Sequence, residues 1–259
     1  MAKTGPCRYC GREWDQLLDQ EHFIGQQFQD WFPEKHLGGV YGQRFLDGEY
    51  RPLPNAWSFP VGGIGHDCCN GGWMKDVDIE VEPILERSLR TDPIILSPPE
   101  QRVLTRWGAK LVSTAELARP ARGRMATLDE RNWIRSHRNP PPGTQAWLCA
   151  WEWDAGQPSI SWTSLGLGVQ GAEAPERPPH SPNTYAAAIA FAHFELILFS
   201  TRTNVRVATP NDRFADRVVS IYPPNGNVSW PILPLLTVEE MVTVGHTLRH
   251  TFAGMFAFG

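Results

Sequence analysis

The most regular hydrophobic pattern in the chain begins just after Ser97. Val103, Leu104, Trp107, Leu111 and Leu117 recur at helical spacing until Pro120 stops the run. The preceding Ser97-Pro98-Pro99-Glu100 supplies a Ser cap, prolines in the first turn and Glu three residues after the cap, which together start a helix. Thr127 followed by Glu130 predicts a second capped helix. It carries Trp133 and Ile134 and stops at Asn139, before the linker Pro140-Pro141-Pro142-Gly143.

Beyond that linker the period changes to two. Trp147, Cys149, Trp151 and Trp153 alternate on one face, and Ser159–Leu167, Phe194–Ser200, Val205–Ala208 and Val218–Ile221 also read as strands. The tryptophans read as core, because a half-buried sheet needs large aromatics at alternating positions. Cys149 on the same face reads as a buried hydrophobe. A Pro-rich loop spans 173–182. A closing helix starts at Thr237, with Glu240 three residues on and Met241, Val244 and Leu248 along one side. The expected fold is α+β in three segments. Residues 1–95 form a module rich in Cys, Gly pairs and acids, 96–143 a helical segment with linker, and 144–259 a β-rich domain with a closing helix.

Composition narrows the class. At 259 residues, 41% hydrophobic and 20% charged, the chain can bury a sizeable core. The longest apolar stretch, Tyr185 to Phe199, is broken by His193 and Glu195 and is too short to span a membrane. The first residues, Met-Ala-Lys-Thr-Gly-Pro-Cys, lack the apolar segment of a secretion signal. Five cysteines, two of them as Cys7-Arg8-Tyr9-Cys10, read as a metal or redox pair rather than a disulfide framework. The expected location is the cytoplasm.

The net charge of −4 conceals a polarised distribution. Arg102 to Arg138 holds nine Lys or Arg against Glu116, Asp129 and Glu130, a local excess of six. Residues 144–259 carry a balance of −3. The basic segment is therefore a candidate phosphate-binding surface, with Arg106, Lys110, Arg119, Arg122 and Arg124 as its contacts. An ordinary solvated helix face is the competing reading.

The candidate chemistry lies in the first segment. Cys7-x-x-Cys10 is followed by Glu21-His22, and later by His66-Asp67-Cys68-Cys69-Asn70-Gly71-Gly72-Trp73-Met74. Two knuckles, Cys-x-x-Cys and His-x-x-Cys, can supply Cys7, Cys10, His66 and Cys69 to one tetrahedral structural Zn²⁺, with Cys68 as the alternative to His66. Such a metal holds together a segment too polar to build its own core.

This ordered set resembles the zinc-containing HNH (ββα-metal, His-Me finger) endonucleases of the recombination endonuclease VII type. Cys69-Asn70-x-Gly72-Trp73-Met74, with Trp107-x-x-Lys110 on a later helix, is also similar to a widespread group of bacterial and phage HNH-like proteins. The resemblance covers roughly residues 5–110. It implies a metal-dependent endonuclease in which Glu21 binds a catalytic Mg²⁺ or Mn²⁺, His22 is the general base, and Asn70 is a second metal ligand. Glu21 stands where Asp or His is commoner, and His66 where Cys is usual. The implied partner is DNA, or RNA, and the products are 5′-phosphate and 3′-hydroxyl ends.

The chemistry of the residues agrees. An imidazole titrating near neutrality can take a proton from water. A hard divalent cation needs only a carboxylate and an amide oxygen from the protein, with waters and phosphate completing its shell. Adjacent residues point to opposite faces of a strand, so Glu21 and His22 fit a strand end or bulge. Asn70 is expected to open a helix running through Met74, Val77 and Leu85. Asp76 and Asp78 near its start are accounted for by the helix dipole. Two other readings stay open: a zinc-stabilised nucleic-acid or protein binding module without catalysis, and a nuclease effector controlled by its C-terminal domain. A homodimer or a protein partner through residues 144–259 belongs with the second.

Overall fold

The computed structural model describes residues 5–13, 18–22, 28, 31, 41–44, 50–53, 60–89, 93–118, 124–153, 160–167, 183–210, 212–232, 234–241 and 243–244. Helix and sheet are mixed, as an α+β fold requires. Strand β1 (Leu18–His22) is followed by the antiparallel pair β2 (Tyr41–Arg44) and β3 (Tyr50–Leu53), and then by β4 (Pro60–Gly65). Strand β4 returns antiparallel beside β1, with Leu18 opposite Gly65 and His22 opposite Pro60. It then runs directly into wide turns over His66–Met74 and a helix, α1 (Lys75–Ser88). Strand, strand and helix thus form one ββα unit.

Next come β5 (Ile94–Leu96), helix α2 (Pro98–Ala115) and helix α3 (Leu128–His137). Both predicted capping boxes form. Ser97 N–H and Oγ both donate to Glu100 Oε2, at 2.8 and 2.6 Å, and Thr127 N–H donates to Glu130 Oε2 at 2.8 Å. Helix α3 ends at Arg138 in the left-handed region, one residue before the expected stop.

Helix α2 is the central element. Every residue from Leu104 to Leu117 is buried, the polar ones included. An amphipathic surface helix would leave one face wet. Instead Thr105 Oγ1 donates to the Gln101 carbonyl at 2.8 Å, Ser113 Oγ meets Tyr9 Oη at 2.9 Å, and Lys110 pairs with Asp78.

The C-terminal half supplies β6 (Thr144–Ala150), β7 (Ile160–Leu167), β8 (Thr184–Phe191), β9 (Phe194–Thr201), β10 (Val218–Tyr222) and β11 (Val228–Trp230). Five of these make an antiparallel sheet in the order β10-β6-β9-β8-β7, while β11 pairs with β5. Both sheet faces are covered. Ala146, Leu148, Leu196 and Leu198 face α2, where Gly108 permits close approach: a Cβ there would lie 2.4 Å from Leu196 Cδ2. Trp147, Cys149, Trp151, Ile197 and Phe199 pack on the other face with Phe214, Leu236, Met241 and Val244. The predicted alternation along β6 is therefore present.

One strand lies outside the sequence expectations, and one expectation needs correcting. Thr184–Phe191 is an inner strand of the sheet although its run of alanines shows no period, because a strand buried on both faces has no polar side. Val205–Ala208 is not a strand. Its backbone is held by one side chain: Val207 N–H donates to Gln145 Oε1 at 2.9 Å and Gln145 Nε2 donates to Val207 O at 2.8 Å. The expected closing helix starts at Thr237, with Glu240 N–H donating to Thr237 Oγ1 at 3.2 Å, and its continuation through Leu248 lies outside the described residues. One core runs continuously from Cys7 through Trp73 and Trp107 to Phe191 and Trp230, so the three compositional segments share their packing. Among the described residues, no helix is long and apolar enough to cross a membrane.

The sheet encloses an ionisable pair. Cys149 Sγ lies 3.3 Å from Glu195 Oε2, and both residues are buried. Burial pushes the Glu195 carboxyl up to about 7 from an ordinary 4.5, with the Cys149 hydrogen bond opposing it. A raised carboxyl holds its proton in the folded chain while the unfolded chain has released it. The neutral form's contribution is therefore full below pH 4.5 and is lost as pH rises to about 7. Denaturant titrations from pH 4.5 to 8 should show the parent losing on the order of 3 kcal/mol across that window. Glu195→Gln should be flatter and more stable at pH 8. Equal pH profiles for the two proteins contradict this assignment.

Candidate metal centre and its surroundings

The first knuckle is built by a tight turn. Gly11 N–H donates to the Cys7 carbonyl at 2.8 Å, and Gly11 adopts φ +75°, a conformation suited to glycine directly after the second thiol. The second pair, Cys68 and Cys69, sits in the wide turns that follow β4. Consecutive thiols there reach different partners. Cys69 Sγ lies 3.9 Å from Cys7 Sγ, and Cys68 Sγ lies 3.6 Å from Cys10 Sγ. All four are buried, and their sulfurs lie within 4.8 Å of one another. Metal–sulfur bonds of about 2.3 Å in a tetrahedron place sulfurs about 3.8 Å apart. The donor set fits a metal ion such as zinc.

The four thiols differ in how readily they lose a proton. The hydrogen-bonded Cys69 thiol lowers the Cys7 thiol well below the usual range. Burial pushes Cys68 up, and the Cys7 contact, followed by burial, pushes Cys69 up. Four enclosed sulfurs cannot all be thiolates without a cation among them. Gly65 N–H donates to Cys7 Sγ at 3.2 Å, an outer-shell bond of the kind that orients a thiolate ligand.

His66 lies outside this cluster, and Cys68 takes the place expected for it. His66 opens the turn on its solvent side, with its ring against Gly71, where a Cβ would lie 2.4 Å from His66 Nε2. The chain then turns inward through the adjacent cysteines.

The knuckle is tied to three other elements. Arg8 N–H donates to Gly63 O on β4 at 2.8 Å. Tyr9 is buried, with its ring 5.3 Å from that of Trp73, and its carbonyl accepts Arg131 Nε from α3 at 2.8 Å. Arg138 Nη1 donates to Trp73 O at 3.1 Å.

Glu21 and His22 are the last two residues of β1, opposite Val61 and Pro60, just beyond a register shift between Asp19 and Gln20. A strand end next to a bulge is where such a pair was expected. Their side chains lie outside the described residues. Asn70 follows Cys69 directly, half-buried in the wide turns. It does not open the regular helix: Gly72, at φ −104° and ψ −118°, breaks the helical path first.

The basic segment behaves differently from its composition. Lys110 has no exposed side-chain surface and pairs with Asp78 at 2.7 Å, itself 7% exposed. Arg106 is buried, pairs with Glu80 and donates to Arg138 O at 3.0 Å. Arg138 pairs with Asp76 at 2.9 Å. Three acids of α1 thus hold three cations of the basic segment, and Arg106 and Lys110 are enclosed rather than presented to phosphate. Asp76 and Asp78, accounted for by the helix dipole alone in the sequence, have these specific partners. Arg119 and Arg122 lie outside the described residues, and Arg124 is half-buried near Arg8 and Glu116. Comparison with protein families, curated proteins and solved structures finds no match to this chain.

Substitution separates the two ligand sets. Cys68→Ser should drop the metal content of purified protein well below one zinc per chain, measured by mass spectrometry of the elements, whereas His66→Ala should keep it. The reverse pattern would return His66 to the shell.

Proposed function

We propose that this protein is a metal-dependent endonuclease that hydrolyses DNA phosphodiester bonds. The observation that carries the reading is the ββα unit itself. A strand ending in Glu21-His22 pairs with the strand that leads into Cys68-Cys69-Asn70 and helix α1, and four thiols fasten its base. This is the arrangement that the resemblance to HNH endonucleases implies.

In this mechanism His22 accepts a proton from the attacking water as that water's oxygen bonds to phosphorus. The phosphorus–O3′ bond breaks, and solvent returns a proton to the departing oxygen, giving 5′-phosphate and 3′-hydroxyl ends. Glu21 and Asn70 would hold Mg²⁺ or Mn²⁺, offering a carboxylate and an amide oxygen. When bound, the divalent ion relieves charge on the phosphoryl and leaving oxygens. The four thiols stand apart from these steps: they shape the turn that carries Asn70.

The reading makes a specific demand on His22. His22→Ala should reduce cleavage of plasmid DNA by roughly 10²–10⁴-fold in Mg²⁺ while zinc content and melting temperature stay unchanged. Glu21→Ala and Asn70→Ala should instead raise the Mg²⁺ concentration needed for half-maximal cleavage. A His22→Ala protein as active as its parent overturns the mechanism.

A further inference from the structure

The four thiols carry chemistry beyond metal binding, because they are grouped as two facing pairs. Cys10 Sγ lies 3.6 Å from Cys68 Sγ, and Cys7 Sγ lies 3.9 Å from Cys69 Sγ. Both contacts cross from the first knuckle to the second. A bond inside the second knuckle is disfavoured by covalent geometry. Adjacent Cα atoms stand about 3.8 Å apart across a trans peptide, short of the roughly 4.4–6.8 Å that an unstrained disulfide spans. A bond between Cys7 and Cys10 would leave Cys68 and Cys69 with only each other. Complete oxidation of the four is therefore directed across the knuckles.

The facing pairs are also held by contacts of other kinds. Arg8 N–H donates to Gly63 O at 2.8 Å, and Gly65 N–H donates to Cys7 Sγ at 3.2 Å, which keeps the first knuckle along β4. The buried Tyr9 packs its ring 5.3 Å from that of Trp73, and its carbonyl accepts Arg131 Nε at 2.8 Å. None of these contacts passes through a metal ion, so the pairs keep their register when ligation is lost. The two pairs differ in access. Cys68 and Cys10 are 8% and 5% exposed, whereas Cys7 is 1% exposed and Cys69 not at all. A small oxidant meets the Cys10–Cys68 pair first.

We propose that this centre is a site of oxidative modification. A hydroperoxide converts the four thiols to two disulfides, Cys10–Cys68 and then Cys7–Cys69, which staple the knuckles after the metal leaves. One thiolate of the outer pair attacks the peroxide: an S–O bond forms, the O–O bond breaks, and the departing oxygen leaves as water. The facing sulfur then attacks the sulfenic sulfur: the S–S bond forms, the S–O bond breaks, and the second oxygen leaves as water. Each disulfide passes two electrons to one peroxide, and solvent supplies the protons that thiolates lack. A metal ion deprived of two ligands is set free, and a second peroxide closes the inner pair in the same way.

The full chain, purified with zinc, is treated with hydrogen peroxide and digested with trypsin without reduction. Cleavage after Arg8 separates Cys7 from Cys10, in peptides 4–8 and 9–12, while Cys68 and Cys69 stay together in a peptide ending at Lys75. The expected product is all three peptides joined as one species. Zinc should be released in step with it, and free thiols should fall from five per chain to one, the enclosed Cys149. Oxidised, metal-free protein should melt above reduced protein stripped with a chelator, since the cross-links restrain the unfolded chain. In Cys68→Ser, peptide 4–8 alone should join the Lys75 peptide, and in Cys69→Ser, peptide 9–12 alone. Should those variants not fold, the parent's map decides. Peptides 4–8 and 9–12 joined only to each other, links between chains, or sulfinic acids in place of disulfides overturn the assignment. The map reads the pairing whether or not zinc is loaded, so its outcome is independent of the nuclease reading.

Discussion

Four sulfurs enclosed within 4.8 Å are the constraint on which the rest of this structure depends. As thiolates at this density they would repel one another without a cation, and their arrangement fits a metal ion such as zinc. Metal binding at such sites contributes about 10–16 kcal/mol in small zinc modules, and there it is folding energy. Everything around the ββα unit is set from there. The Cys7–Cys10 turn fixes Arg8 along β4 and buries Tyr9 against Trp73. The Cys68-Cys69 turn fixes where Asn70 sits relative to the strands.

A second constraint is the burial of α2. A helix enclosed on every side must neutralise its cations from within, and α1 provides Asp78 and Glu80 for that purpose. The buried Lys110–Asp78 pair adds little net stability over an apolar packing, but removing one partner leaves a stranded charge, commonly at a cost of about 3–5 kcal/mol. The two ion pairs hold α1 in one rotation against α2, while the thiols hold the turn that precedes it. The ββα unit is thus fastened at both ends, by sulfur at its base and by ion pairs along its helix.

Local chemistry made much of the fold readable. Ser97 with Glu100, Thr127 with Glu130 and Thr237 with Glu240 announce their helices because each cap is a contact within a few residues. The alternation of Trp147, Cys149 and Trp151 is legible for the same reason. Strand β8 was hidden because burial on both faces erases the period. Lys110 was misread because its partner, Asp78, lies 32 residues away on another helix, and composition counts a charge without saying what faces it. At the metal centre the two knuckles were visible, but the choice between His66 and Cys68 depends on how the chain turns after Gly65. Spacing alone could not decide that. Nothing local in the sequence marks the contact of Arg8 with Gly62, on a strand 54 residues away.

X-ray absorption at the zinc edge of the purified protein reads the central constraint directly. Four sulfur neighbours at about 2.3 Å, with no nitrogen in the shell, are the predicted result. A shell of three sulfurs and one imidazole nitrogen, or protein that takes up no zinc, would contradict the four-thiol centre and the geometry built upon it.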